Sequence, residues 1–379
     1  MGDAIRPDWS GRLNRTWQRA AASSLAAGPA AVRAAVVIST PTNLNYLCGF
    51  RGSAGLMVLT SGEHYLLIDG RYDFAARSEQ DAGRLGPVAI RRVEGRFDQA
   101  LADLLGELPA GDVAFESEFV TVAVLTKWQA GSPTRTWVPT SELVEDLRVV
   151  KDAHELAIIR RACARLADVA KHLREFVAGG LTERQVAGSI DAAILRAGFS
   201  ATAFPTIVAS GPNSAHPHAR PSDRKLRDGD LVVLDFGGVL DGYCGDLTRM
   251  AAVGQVQANA RALVDAVRLA QDAALATVRA GVLASDVDQA ARDVLSRHGL
   301  GEAFLHATGH GLGLDLHESP RIGRADAVRP IKLEAGTVCT IEPGAYVDGL
   351  GGARMEDDVV VTAEGCEVLT DAPRDLLIV

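Results

Sequence analysis

The second half of the chain contains a segment whose pattern restricts its fold more strongly than any other. Residues 231–249, LVVLDFGGVLDGYCGDLTR, predict a β-hairpin with its turn at Asp241-Gly242. Asp235 follows four apolar residues, and Asp246 takes the matching place on the return strand. Since the turn lies between them, the two acids are expected to lie nearly opposite each other. The apolar pattern indicates that these strands are buried, so the presence of two carboxylates in them requires an explanation.

A second segment repeats this arrangement further along the chain. Residues 225–238, KLRDGDLVVLDFGG, align without a gap with residues 332–345, KLEAGTVCTIEPGA. The alignment gives the first acid of the hairpin a counterpart in Glu342, and the second acid corresponds to Glu356 after a short insertion. Two equivalent hairpins are therefore predicted to bring four carboxylates toward one shared centre.

The domain organisation follows from this repeat and from the pattern of the first half. A weaker similarity between residues 180–199 and 281–300 indicates that the repeat includes the helices before each hairpin. The second domain is therefore predicted to be α+β with an internal pseudo-twofold repeat. Residues 34–72 alternate short apolar strands with turns, and a helical pattern follows them, which predicts an α/β first domain. We expect the two domains to cover residues 1–138 and 139–379.

The composition is that of a globular protein and excludes several classes of partner. The net charge is -9 and the isoelectric point is about 5.5, which disfavours nucleic acid as a partner. No apolar run reaches the roughly 20 residues that span a bilayer, so no membrane association is expected. The five cysteines are scattered and form no C-x-x-C motif, which predicts reduced thiols and a cytoplasmic location.

The four acids need positive charge between them. Ionised carboxylates in a buried sheet repel each other and lose hydration, at a cost of several kcal/mol per ion. Arg249 and Arg354 are nearby and could neutralise them, but divalent cations match clustered carboxylate oxygens better. A metal site also favours histidine, and the Gly-rich segment 306–318, HATGHGLGLDLHE, supplies His306, His310 and His317, while His218 precedes the first acid. Each histidine alone would be a loop residue, but together with paired acids they favour a metal centre.

These residues match a known family pattern: the chain resembles the pita-bread metallopeptidases of the proline-specific group, most of all the bacterial Xaa-Pro aminopeptidases. Five metal ligands of that family fall on Asp235, Asp246, His310, Glu342 and Glu356. The resemblance implies that Asp246 and Glu356 bridge two divalent ions. It also implies that Asp235 chelates one ion and that His310 and Glu342 complete the other. An oxygen-rich set of this kind suits manganese, with cobalt, iron or zinc as alternatives.

The resemblance also implies roles around the metals, where a water shared by the two ions would be the nucleophile. Glu342 would carry a proton to the leaving nitrogen. His218 and His317 would steady the substrate and the tetrahedral intermediate. Three further residues match positions that line the pocket or orient ligands: His306, Tyr346 and Arg354. The chain departs from the family at Ala307, where glycine is usual, and at Leu316, where a β-branched residue is usual, which affects pocket shape and removes no ligand.

The first domain resembles the creatinase-like domain of the same family. The similarity lies in residues 40–55, TPTNLNYLCGFRGSAG, and 66–77, LLIDGRYDFAAR. It implies a domain that shapes one side of the active-site cleft and helps to form a homodimer. The form GF-x-GSAG favours the aminopeptidases over the dipeptidases.

The sequence therefore predicts a metal-dependent exopeptidase that removes the residue before proline from the N-terminus of peptides. A Xaa-Pro dipeptidase (prolidase) shares the same ligands and is the nearest alternative. A metal-free, creatinase-like amidinohydrolase would use the same fold, but all five ligands are retained here. A non-catalytic binding protein of this fold would be expected to have lost ligands or gained basic insertions, and the chain shows neither.

Overall fold

The computed structural model describes residues 6–24, 33–326 and 330–379. They divide into two compact units, Arg6–Arg148 and Val149–Val379. The sequence prediction put the boundary after residue 138, which lies inside a strand, Trp137–Thr140, that pairs within the sheet of the first unit. Pro139 reads as a linker residue, yet it stands in an edge strand, where its missing N–H costs no ladder bond.

The first unit is an α/β layer built on one mixed sheet. Its strands are β1 (Arg33–Ile38), β2 (Leu56–Leu59), β3 (Tyr65–Asp69), β4 (Ala89–Val93), β5 (Asp112–Glu116) and β6 (Trp137–Thr140). Its helices are α1 (Trp9–Ser24), α2 (Pro41–Cys48), α3 (Gly70–Asp81), α4 (Phe97–Glu107), α5 (Val122–Gly131) and α6 (Glu145–Arg148). The strand order is β4-β3-β2-β1-β5-β6, with β1, β5 and β6 parallel. Every residue of the central strand β1 is buried, as expected of a strand covered on both faces.

The second unit has its helices and strands arranged in two similar halves. Its helices are α7 (Ala153–Lys171), α8 (Glu183–Arg196), α9 (Ala258–Thr277) and α10 (Ala284–Arg297). Its strands are β7 (Ala201–Thr202), β8 (Ile207–Ser210), β9 (Leu231–Leu240), β10 (Tyr243–Ala252), β11 (Gly309–Gly311), β12 (Glu318–Ile322), β13 (Val338–Ile341), β14 (Gly344–Val347), β15 (Gly351–Arg354), β16 (Asp357–Val361), β17 (Cys366–Val368) and β18 (Leu377–Ile378). Each half therefore consists of two helices followed by strands.

Two five-stranded sheets carry the hairpins of the second unit. The first has the order β18-β10-β9-β7, with β8 also paired to β9, and the second has the order β12-β11-β13-β16-β17. Helices α7 and α8 pack on the first sheet through a core that includes Leu166, Ile190 and Phe236. Helices α9 and α10 supply a second core with Val267, Val287 and strand residues of both sheets. Residues of the first sheet thus lie in both cores, and the predicted α/β and α+β architecture is confirmed.

The register of the first hairpin corrects one prediction. Leu240 pairs with Tyr243, so Asp241 and Gly242 alone form the turn. Both turn residues have positive φ, 50° and 89°, as a two-residue hairpin turn requires. Asp235 consequently faces Thr248, and Asp246 faces Gly237. The two acids are diagonal neighbours on one face of the hairpin, two residues out of direct opposition.

Candidate metal centre

The five predicted ligands lie at the ends and middles of strands in the second unit. Asp235 is in β9, Asp246 is in β10 and His310 is in β11, whereas Glu342 directly follows β13 and Glu356 directly precedes β16. The structure brings Asp246, His310 and Glu356 together, with one potential ligand atom of each within 4.8 Å of the others. Glu342 Oε1 lies 3.6 Å from His310 Nε2. Residues distant in sequence therefore meet in one cluster.

Burial and like charge both act on the acids of this cluster. Asp246 and Glu356 are 5% and 2% exposed. Burial, followed by the neighbouring carboxylates, raises the pKa of both well above the ordinary range. Burial also raises the pKa of Glu342 to about 8, although Arg354 opposes that shift. Without cations these carboxyl groups favour their protonated forms, which is the electrostatic signature of a site that accepts positive charge.

Two carboxylate oxygens point to what the cluster could hold. Asp235 Oδ1 and Asp246 Oδ1 are buried and have no hydrogen-bond partner among the residues that the structure describes. His310 Nδ1 donates to the Gly311 carbonyl at 2.9 Å, which leaves Nε2 as the ring's acceptor on the side of Glu342. Burial lowers the pKa of His310 to about 4, so the ring is neutral near pH 7. Unpaired carboxylate oxygens beside a neutral imidazole fit divalent cations.

The two arginines that the sequence places near the acids donate hydrogen bonds to different groups. Arg354 donates to Asp235 Oδ2 and, at 2.7 Å, to the Tyr346 hydroxyl. Arg249 instead donates to Asp357 at 2.7 Å and to the Glu356 carbonyl at 2.6 Å. Arginine therefore neutralises one oxygen of Asp235 and fixes the backbone at Glu356, and it leaves the remaining carboxylate oxygens available to a metal.

The predicted histidines outside the ligand set lie around the cluster. The ring of His317 stands 4.3 Å from that of His310, edge to face. His306 Nε2 is 3.0 Å from the Tyr346 hydroxyl, and burial lowers the pKa of His306 to about 4. His218 is exposed, and a positive charge on its ring would lower the pKa of both His306 and His317, which indicates that it lies near these two rings.

Sequence reasoning missed two residues that hold ligands in place. Thr248 Oγ1 donates to Glu356 Oε2 at 2.6 Å, and it belongs to the first hairpin while its acceptor belongs to the second. Asp358 accepts a hydrogen bond from the Asp246 backbone N–H at 2.9 Å and another from the Cys163 thiol. A signal for Asp358 was present, since MEDDVVV places three acids in a row at the start of an apolar strand.

Comparisons with known proteins agree with this geometry. The pattern described as metallopeptidase family M24 matches residues 157–363, and that of the creatinase/prolidase N-terminal domain matches residues 30–150. The Xaa-Pro dipeptidase of Pyrococcus furiosus is 32% identical over 342 residues, which are 90% of this chain and 94% of that protein. Among solved structures, the Xaa-Pro dipeptidase from Bacillus anthracis aligns with a TM-score of 0.90 and 30% identity over 98% of this chain and 100% of the other. The X-Pro aminopeptidase from Thermotoga maritima aligns with a TM-score of 0.83 and 30% identity over 91% of this chain and 98% of the other.

Fold and site together define a metallopeptidase with a creatinase-type N-terminal domain and a pita-bread catalytic domain. The chain belongs to metallopeptidase family M24. Its prediction as a hydrolase of this kind is confirmed, and the family implies divalent metal ions. Within the described residues, no helix combines the length and the apolar character needed to cross a membrane.

Proposed function

We propose that this chain is a metal-dependent exopeptidase that hydrolyses the Xaa-Pro bond at the N-terminus of short peptides. The observation that carries the proposal is the buried cluster of Asp246, His310 and Glu356, with Glu342 beside it. The names of the similar proteins support the choice of Xaa-Pro substrates. The bond before proline is a tertiary amide, which fits ordinary peptidase sites poorly. Its hydrolysis therefore favours a dedicated enzyme.

In this proposal two divalent ions are held by Asp235, Asp246, His310, Glu342 and Glu356. Manganese is the preferred ion because four of these five ligands offer oxygen, and cobalt, iron or zinc are alternatives. Bound ions of this kind polarise the substrate carbonyl and lower the pKa of water. The unpartnered oxygens of Asp235 and Asp246 support the assignment of these two acids as ligands.

The chain's own residues bind the substrate and move its protons. Glu342 is proposed to carry the proton to the prolyl nitrogen as the bond breaks. His317, beside the ring of His310, and the exposed His218 are proposed to hold the peptide and to donate to the oxyanion. Arg354 orients Asp235 through one hydrogen bond and donates another to the Tyr346 hydroxyl, which in turn lies within hydrogen-bond distance of His306.

The permitted length of the peptide separates two forms of this activity. The Bacillus anthracis structure, with its TM-score of 0.90, and the Pyrococcus furiosus relative support dipeptidase action on Xaa-Pro. The GF-x-GSAG motif at residues 49–55 and the Thermotoga maritima structure support aminopeptidase action on longer peptides. We favour the dipeptidase form, with the aminopeptidase form as the second candidate.

Peptide hydrolysis by the manganese-loaded chain tests both levels of the proposal. We expect rapid hydrolysis of Gly-Pro, slower hydrolysis of Gly-Pro-Ala and none of Gly-Ala. Faster cleavage of Gly-Pro-Ala than of Gly-Pro would assign the aminopeptidase form. If neither proline peptide is cleaved, or if activity survives complete metal removal, the proposal fails. Creatine serves as the substrate that an amidinohydrolase would prefer.

We further propose that the protein is a cytoplasmic homodimer. All five cysteines are free thiols, which supports a reducing compartment. The match of the first unit to the creatinase/prolidase N-terminal domain supports dimer formation. Light scattering on the purified chain checks this assignment, because a monomeric mass at micromolar concentration would contradict it.

A further inference from the structure

Lys151 and Glu318 form a buried ion pair in the second unit. Lys151 Nζ lies 3.3 Å from Glu318 Oε2, and the two side chains are 1% and 6% exposed. The two family matches end at residue 150 and begin at residue 157, so neither covers Lys151. Two charges removed from water need a structural or functional reason, because desolvation offsets most of their attraction.

Glu318 organises the loop Gly313–His317, which we call the histidine loop. Its Oε1 accepts a hydrogen bond from the Asp315 backbone N–H at 2.9 Å. Gly313 lies against the same carboxylate, and a Cβ at that position would stand 2.8 Å from both oxygens. The Gly313 carbonyl in turn accepts from the Cys244 N–H at 2.7 Å, two residues before Asp246. The loop is therefore held between the Glu318 carboxylate and strand β10.

The histidine loop ends at His317, whose ring contacts that of the proposed ligand His310. The ring of His317 stands 4.3 Å from that of His310, at an interplanar angle of 83°. Glu318 follows His317 in the chain, and its carboxylate accepts a hydrogen bond from the Asp315 N–H, so residues on both sides of His317 are tied to this carboxylate. The position of His317 therefore depends on what fixes Glu318.

The backbone around Lys151 is itself anchored. Its N–H donates to the Gly336 carbonyl at 3.0 Å, and the preceding Val150 forms a bridge with Thr337 at the start of the segment that leads into β13. Lys151 Nζ also lies 3.4 Å from the Val149 carbonyl. The ammonium group is thus held at a defined place, where a charge-assisted hydrogen bond is strong.

We propose that Lys151 is a positioning residue for His317: it neutralises the buried Glu318 carboxylate and so holds the histidine loop in the geometry that turnover requires. The effect on kcat can be measured only if the proposed peptidase function is correct. The effect on the order of the histidine loop can be measured independently of that function.

The test combines five variants of the manganese-loaded, full-length chain. We expect Lys151→Met to lower kcat about 10-fold, the lower end for residues that orient catalytic groups, with bound manganese unchanged. Lys151→Arg should recover most of the loss because it restores the cation. In a His317→Ala background, Lys151→Met should cause no further loss, because it acts through His317. The surface control Lys171→Met, whose ammonium pairs with Asp168, should match the wild type.

Amide hydrogen exchange provides the readout that does not need substrate. Lys151→Met should increase exchange in residues 313–318, above all at Asp315, while helix α9 keeps its protection. The proposal is overturned if this exchange is unchanged, or if the losses from Lys151→Met and His317→Ala multiply. If the wild type cleaves no Xaa-Pro peptide, the proposed function fails, and the exchange experiment alone decides the role of Lys151.

Discussion

The two acidic hairpins of the second unit both supply carboxylates to the site, but their strands differ in how continuously they pair. Strands β9 and β10 pair without interruption over ten residues of each strand. Strands β13 and β16 pair over four, and after a break at Glu342-Pro343 and Met355-Glu356 the pairing resumes in the same register as β14 and β15. The first hairpin therefore supplies two acids from a regular sheet, whereas the second supplies its acids from the points where pairing ends.

The outer part of the second hairpin also supplies side chains to the site. Tyr346 is in β14 and Arg354 is in β15, and the Tyr346 hydroxyl accepts a hydrogen bond from Arg354. Arg354 of the second hairpin donates to Asp235 of the first, while Thr248 of the first donates to Glu356 of the second. Each hairpin thus orients a carboxylate of the other. The comparison teaches that the two halves have equivalent acids but form one interdependent site.

The largest expected effect on activity distinguishes Asp246, a proposed metal ligand, from Asp241, the acid in the turn of the same hairpin. Asp246→Asn should lower activity by more than about 100-fold, beyond the range for residues that only orient ligands, and reduce bound manganese. Asp241→Asn is the matched control, since this carboxylate is 53% exposed and pairs with Arg161. It should change neither activity nor metal content. Equal activities of the two variants would contradict the assignment of Asp246.

The second prediction tests whether the hairpins depend on each other. Thr248→Val removes the hydrogen bond to Glu356 while keeping the side-chain volume, and we expect manganese affinity to fall about 10-fold. Thr206→Val is the matched control, because Thr206 is also buried and its hydroxyl donates to Asp191 at the same distance of 2.6 Å. Both variants should lose comparable stability, about 1 kcal/mol each. An unchanged affinity in Thr248→Val would mean that the halves act separately.

The local sequence pattern was sufficient to predict the acids and the repeat, but it could not predict the exact register. The Asp241-Gly242 turn was recognised, and the assignment of residues to strands followed from their alternation. Asp235 and Asp246 were expected to lie nearly opposite each other because the turn lies between them, whereas the pairing of Leu240 with Tyr243 fixes a register in which they are two residues out of opposition.

Contacts between residues far apart in sequence also could not be predicted from the sequence. The Thr248 to Glu356 bond and the Asp358 to Asp246 bond each join the two halves. No spacing rule within one segment predicts which threonine or aspartate reaches across, because that depends on how the two sheets meet. The buried pair of Lys151 and Glu318 is of the same kind, since its members are separated by most of the second unit.

The smallest expected effect concerns the stability of the metal-free chain and compares Glu342 with an acid outside the cluster. Burial raises the pKa of Glu342 to about 8, above the ordinary value of 4.5. Its stabilising contribution is therefore complete below pH 4.5 and is lost as the pH rises toward 8. Glu342→Gln removes this loss, so metal-free Glu342→Gln should be more stable than the wild type at pH 8, by at least about 1 kcal/mol, and the difference should become small toward pH 5. Glu364→Gln, in the exposed turn between β16 and β17, should show no such pH dependence in urea unfolding. A wild type that gains stability from pH 5 to 8 relative to Glu342→Gln would show that this carboxylate is favourably ionised even without metal.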